Sequence, residues 1–377
     1  MRKPLSRDWV PSLLICFATL LLVPHTSAQQ VCYTAQERAR AEQTAKVYRA
    51  PDPGYDPVLG YNPARGPRRG ALPADANGVA RPMKCVANKD VKPGAGTTPK
   101  FHCSVPGVTD EEGNLIRYKI KPHFKGQSTD KRNGEIYGEF LSSRFSKALG
   151  FFADDEWVAD VNCPDCEKSL TKSYQGAKFT GFEPAAGIEL SLARGIDVNC
   201  DGKDSGSLAE SLQRISASGA RAEVDAFKLW LAFIDHGDTK TDNHKFACLK
   251  SRKNADNTRV CDEPVFYVSD MGSTFGFSSA SEKKARLDTW KKKEPIGVKD
   301  GHCTANAKSV GDTHISEAGR KLLADNLQRL LNAEQRNKTI TKVFRASRNA
   351  ERDRPAEEWT TEFIRKAQTI IDVRCTN

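Results

Sequence analysis

At 377 residues, 38% of them hydrophobic, the chain is long enough to bury a sizeable core, as one two-lobed domain or two small ones. Its formal net charge of +10 is a surplus of 58 basic over 48 acidic residues spread along the sequence. A dispersed surplus of that kind argues against a nucleic-acid footprint and describes a solvated surface that favours acidic or phosphate-bearing partners.

Residues 1–28 have the build of a secretory signal peptide. Arg2, Lys3 and Arg7 precede the apolar run Leu13 to Val23, and Thr26-Ser27-Ala28 supplies small residues before a cut at Gln29. That run is far short of the roughly 20 residues a membrane span needs, and no later stretch is long or apolar enough to cross. The expectation is a secreted or periplasmic protein with no membrane span after signal removal. Ten cysteines remain after the cut: Cys32, Cys85, Cys103, Cys163, Cys166, Cys200, Cys248, Cys261, Cys303 and Cys375. An even number in an exported chain points to disulfides. Cys163-Pro-Asp-Cys166 has the spacing of half a zinc site, but with no second C-x-x-C a disulfide is the reading preferred.

Residues 29–82 form the next segment. Val31 to Tyr48 reads as a polar helix, and Ala50 to Pro82 is so dense in Pro and Gly that it predicts an extended linker or clasp with no core of its own. A small lobe is expected over 83–190. It carries Gly94 and Gly96 in a G-x-G turn, with Pro99 where a third glycine would stand, and then a strand, Asn114 to Pro122, bearing Lys119 and Lys121 on one face. Gly134 to Gly150 reads as an amphipathic helix with Phe140, Leu141, Phe145 and Leu149 marking one face, and Glu135 and Glu139 flanking it. Trp157 to Asn162 is a strand. Thr180 to Pro184 and Gly187 to Leu192 are two further short strands at the hinge.

The rest, 191–377, is expected to be mainly helical. Asp197, Asn199 and Asp201 have the D-x-N-x-D-G spacing that opens a calcium loop, though Leu208 stands where the bidentate glutamate belongs, so an Asx-rich turn before a helix near Ser207 competes with Ca²⁺. Glu223 to Ile234 has apolar residues at helical spacing and leads into His236-Gly237-Asp238-Thr239-Lys240-Thr241-Asp242-Asn243. His244 to Leu249 and Val260 to Val268 are apolar runs around a polar turn, which predicts a hairpin returning Asp270-Met271-Gly272 beside Asn243, with Cys248 and Cys261 facing each other. Ser278 to Asp300 is polar and lysine-rich, and Ser316 to Asn332, Ile340 to Ala346 and Pro355 to Val373 read as helices.

Written as H-G-D-T-K-T-D-N followed by D-M-G, this pair resembles the catalytic loop and metal-binding motif of the protein-kinase-like superfamily, in its atypical secreted or exported branch. The resemblance implies an α+β, two-lobed kinase-like fold with a small mixed β/α lobe, a larger helical lobe and a Pro/Gly-rich N-terminal extension. It implies Asp238 as base and Lys240 as cation, Asn243 and Asp270 as ligands of Mg²⁺ or Mn²⁺, and Gly94, Gly96, Lys121 and Glu139 around ATP, with Lys119 and Glu135 as alternatives to the last two. Gly237 replaces the arginine of H-R-D and no A-P-E motif follows, which points away from regulated eukaryotic kinases. The implied reaction is phosphate transfer from Mg-ATP to a protein, carbohydrate or lipid acceptor. Two other readings compete: a metal-dependent hydrolase using His236, Asp238, Asp242 and His244, and a non-catalytic pseudokinase-like binding module.

Overall fold

The computed structural model describes residues 33–88, 100–111, 113–122, 134–166, 181–192, 194–195, 206–238, 240–255, 258–276, 285–347 and 354–376. The predicted G-x-G turn, the D-x-N-x-D-G stretch, Cys32, Cys200 and residues 1–32 lie outside them.

Six strands form the main sheet: β1 (Met83–Lys84), β2 (Val86–Ala87), β3 (Phe101–Thr109), β4 (Leu115–Lys121), β5 (Asp155–Asn162) and β6 (Phe182–Leu190). Their spatial order is β1-β5-β6-β4-β3-β2, antiparallel except for the β1–β5 pair. Side chains alternate across a pleated strand, so each strand feeds both faces. Tyr118, Ile120, Trp157, Ala159, Ala186 and Ile188 belong to one apolar cluster on one face. The residues between them, Lys119, Lys121, Glu156, Gly187 and Glu189, therefore share the other, where helix α2 (Glu135–Ala148) packs. Gly187 allows that approach, since a Cβ there would lie 2.9 Å from the Ile136 side chain.

Two hinge strands were expected and one continuous strand is found. Pro184, a residue that breaks sheet ladders, sits where the β5–β6 register shifts and Ala185 takes φ +50°, so the irregularity is absorbed as a bulge.

The helical part comprises α3 (Leu208–Ala217), α4 (Arg221–Phe233), α5 (Leu287–Lys291), α6 (Glu317–Asn337), α7 (Thr339–Ala346) and α8 (Ala356–Asp372). Ser207 and Glu210 close a capping box on α3. The core of this part is aromatic: Phe233 meets Phe363 edge-on at 4.9 Å and Trp290 at 5.9 Å, and the Trp290 indole donates to the Phe233 carbonyl at 2.7 Å. Trp290 thus anchors a polar, lysine-rich stretch in the aromatic core. Two three-stranded sheets belong to this group, β11 (Pro264–Val268) with β8 (His244–Cys248) and β7 (Arg194–Gly195), and β12 (Ile296–Lys299) with β13 (His302–Ala305) and β14 (His314–Ile315). No helix among the described residues is long and apolar enough to cross a membrane.

The first helix, α1 (Ala35–Thr44), is shorter than the sequence suggested. The chain turns extended at Ala45, and Lys46 and Tyr48 bridge to Val265 and Phe151. The following Pro/Gly-rich arm is held by side chains. Arg68 donates to the carbonyls of Leu190, Ser191 and Leu192 at 3.0, 2.9 and 3.1 Å, and Tyr118 donates to Gly70. Among the described residues, four disulfides join Cys85–Cys103, Cys163–Cys166, Cys248–Cys261 and Cys303–Cys375. The third is the pairing expected across the hairpin.

Asp155 lies under the arm, ion-paired to both Arg68 and Lys147. Burial opposes its charge, but the two cations outweigh burial and hold its carboxyl down to about 2. A depressed carboxylate stabilises the fold above its unfolded pKa and loses that contribution as pH falls through its folded one. Asp155→Asn is expected to lower stability near neutral pH by about 2 kcal/mol and to flatten the loss of stability between about pH 4 and pH 2; urea midpoints measured across that range check it.

Candidate functional site

Helix α4 ends at Phe233, and the chain leaves it through Asp235 at φ +53°, with the His236 amide still bonded back to the Leu231 carbonyl at 2.9 Å. Two further backbone bonds, Gly237 N to Ser273 O at 3.1 Å and Phe275 N to Ile234 O at 2.6 Å, lash this loop to the segment after Asp270. Asn243 closes a 3-10 turn, Thr241–Asn243, and β8 starts at the next residue. The register pairs His244 with Val268, so the hairpin returns the chain to its own start. The Asn243 carbonyl then accepts from the amides of Ser269 at 2.7 Å and Asp270 at 3.3 Å. Between the long strands the hairpin continues as β9 (Ser251–Lys253) and β10 (Arg259–Cys261).

Lys121 ends β4 on the face toward α2, ion-paired to Glu139, and its ammonium is 3.7 Å from the Asp270 carboxylate. One cation therefore joins strand, helix and loop. Burial opposes the charge on Lys121, yet Asp270 and Glu139 raise its pKa well above the usual lysine value. Burial, with Asp270 nearby, opposes the charge on Glu139, and Lys121 pulls the other way. Asp270 is driven the other way: burial is outweighed by Lys121 and Lys119, and the Gly272 amide adds a bond at 3.3 Å, so it stays ionised. Asp238 bonds Lys240 at 3.1 Å, which raises the lysine pKa, and Asp270 adds to that field.

His236 is buried, and desolvation lowers its pKa despite Asp270 and Asp238, so it is neutral at pH 7. Its carbonyl accepts from Ser309. Of the four residues of the hydrolase reading, the Asp242 side chain lies outside the described ones. Among the described side chains His236, Asp238 and His244 form no ligand cluster, and the His244 ring bonds the Gly206 carbonyl at 3.0 Å. A side chain at Gly237 would meet open space, so nothing steric requires glycine there.

The donor set around Asp270 suits a hard cation: a carboxylate, ionised and 37% exposed, beside a buried carboxamide, Asn243, whose nitrogen has no hydrogen-bond partner. Oxygen donors of this kind fit Mg²⁺ or Mn²⁺.

Composition did not disclose the docking between α2 and the loop after Asp270. Thr274 bonds Ser142 at 3.0 Å and the Gly138 carbonyl at 3.4 Å, and Ser146 accepts from the Trp230 indole at 2.8 Å. A Cβ on Gly138 would stand 2.7 Å from the Gly272 carbonyl, and one on Gly272 would stand 2.9 Å from Glu135. A glycine inside an amphipathic helix was the available signal. Also unforeseen was the second ion pair, Lys119 with Glu189, next to buried Glu156, whose pKa burial and its carboxylate neighbours raise.

No protein-family model matches the chain, and no curated protein does. Among solved structures it is similar to the crystal structure of a Helicobacter pylori proinflammatory kinase, CtkA, at 12% identity over 77% of this chain and 96% of that one, with a TM-score of 0.41. So distant a likeness carries no argument about activity.

In an open helix Gly→Ala would gain about 1 kcal/mol. Gly138→Ala is expected instead to destabilise the protein, by about 1–3 kcal/mol as helix and loop are forced apart. Denaturant unfolding reads the sign directly.

Proposed function

We propose that the chain is an exported, kinase-like phosphotransferase, with 83–190 as its small lobe and 191–377 as its larger one, acting with Mg-ATP on a protein, carbohydrate or lipid acceptor. The observation that carries this reading is the Lys121–Glu139 ion pair lying against Asp270 beside Asn243. Export is supported by the signal-like N-terminus and by four disulfides among the described residues.

Phosphoryl transfer is achieved chiefly by positioning and by neutralising charge on the moving group. Asn243 and Asp270 would hold Mg²⁺, which would offset negative charge on the donor phosphates. Lys121, held by Glu139, fixes the place of Asp270. Asp238, partly exposed at the loop tip, accepts the proton of the acceptor hydroxyl, and Lys240 beside it balances charge near the attacked phosphorus. Neutral His236 stiffens the loop from inside. Gly94 and Gly96 are assigned to cover the nucleotide, as the resemblance implies.

Purified protein is expected to gain thermal stability on adding ATP with Mg²⁺ or Mn²⁺, and Asp270→Ala to abolish the gain; no shift in the wild type sinks the reading. Asp238→Asn is expected to keep nucleotide binding while lowering transfer from labelled ATP by about 10²–10⁴-fold. Nucleotide binding without any transfer, left unchanged by Asp238→Asn, would favour the binding-module alternative.

A further inference from the structure

The two outermost strands of the main sheet, β1 and β2, are separated in the chain by a single residue, Cys85. Cys85 therefore stands where the two edges of the sheet come together. Its amide donates to the Asn162 carbonyl at 3.0 Å, and the residue after Asn162 is Cys163, the first of Cys163-Pro-Asp-Cys166. From the other edge β3 contributes Cys103, opposite Ala87 of β2. The Sγ atoms of Cys85, Cys163 and Cys166 lie within 4.8 Å of one another, and Cys103 joins them through its bond to Cys85. All four are buried in the apolar cluster on the sheet face turned away from α2, whereas Cys248, Cys261, Cys303 and Cys375 belong to the other core. As a crosslink Cys163–Cys166 restrains little, since its sequence separation of 3 is the shortest of the four described bridges. As a chelate the same turn is well made. The Cys166 amide donates to the Cys163 carbonyl at 3.1 Å, and C-x-x-C spacing turns two sulfurs toward one point, as in structural zinc sites. The sequence holds no second C-x-x-C, and the fold supplies the other two sulfurs from the edges of the sheet.

We propose that Cys85, Cys103, Cys163 and Cys166 form a tetrathiolate site for Zn²⁺, open to the ion when both disulfides are reduced and closed to it when they are oxidised. Four soft sulfurs around one point select a thiophilic cation with tetrahedral geometry. A dithiol reductant gives each disulfide two electrons and two protons and leaves as a disulfide itself. Zn²⁺ then displaces the four thiol protons. Oxidation by hydrogen peroxide reverses this: two peroxide molecules take four electrons and four protons to become four waters, both S–S bonds re-form, and the ion leaves. With four protein sulfurs the coordination is complete, so the ion has a structural task, clipping the two edges of the sheet that carries Lys121.

Full-length protein, reduced anaerobically with dithiothreitol and desalted, is titrated with Zn²⁺ alone and with Co²⁺ alone. The expected result is one Zn²⁺ per chain by elemental analysis and the absorption bands of tetrahedral Co²⁺–thiolate, with neither ion taken up by the oxidised protein. Iodoacetamide labelling read by mass spectrometry identifies the ligands: Zn²⁺ is expected to shield Cys85, Cys103, Cys163 and Cys166 far more than Cys248, Cys261, Cys303 and Cys375. Cys103→Ser and Cys166→Ser are each expected to raise Kd for Zn²⁺ at least about a hundredfold, one ligand's share of a structural site. Labelling of the wild type decides the matter if those variants fail to fold. A reduced wild type that binds no Zn²⁺, or one whose Zn²⁺ shields other cysteines instead, overturns the inference, as does equal binding by the oxidised protein.

Discussion

The arrangement of the whole site depends on one buried cation. Lys121 lies in an interior where an unpaired ammonium would be costly, and it is tolerable there only because Glu139 arrives from α2 and Asp270 from the loop after β11. Each of these three residues comes from a different element, so moving any element leaves a charge uncompensated. That is a stronger constraint than apolar packing, which tolerates sliding. It also accounts for the glycines at the contacts: Gly138 and Gly272 let backbone meet backbone closely enough for the charges to be within reach, and Gly187 does the same for helix against sheet.

The same constraint explains what could be read from the sequence. The spacing from Asp238 to Asn243 and the hairpin between Asn243 and Asp270 are local, set by strand lengths and a turn, and apolar patterning discloses both. The Lys121–Glu139 contact joins a strand to the next helix, and it was the resemblance to kinase motifs, not apolar patterning, that pointed to it. Lys119 with Glu189 was not legible, because it needs the order of strands in the sheet, and β6 is separated from β4 by α2 and β5. The docking of Thr274 on Gly138 was hidden more deeply, since its signal is an absent side chain. Two short hinge strands were expected where there is one, because Pro184 reads as a terminator in sequence, while in the sheet a bulge accommodates it. The polar stretch around Trp290 gave no sign that its indole ring lies in the aromatic core beside Phe233, Phe275 and Trp359.

Electrostatics divide the site into a sealed part and an open part. Buried Glu139, Glu156 and Glu189 sit among two lysines, and carboxylates crowded at low dielectric compete for the available positive charge. Asp270, nearest the opening, keeps its negative charge where a cation can approach. Asp238 and Lys240 stand further out, paired to each other on an exposed loop, as groups must be if an acceptor of any size is to reach them. Of the described hydrolase residues, His236 is buried and the His244 ring is engaged with the Gly206 carbonyl.

The arm also bears on how the chain reaches this state. Arg68 is fastened to carbonyls 122 to 124 residues further on, and the Arg40 and Glu37 side chains of α1 bond Cys261, 221 and 224 residues away. A segment made early cannot settle until partners made much later exist. The arm and α1 can therefore take up these contacts only once residues 190–192 and Cys261 have been made.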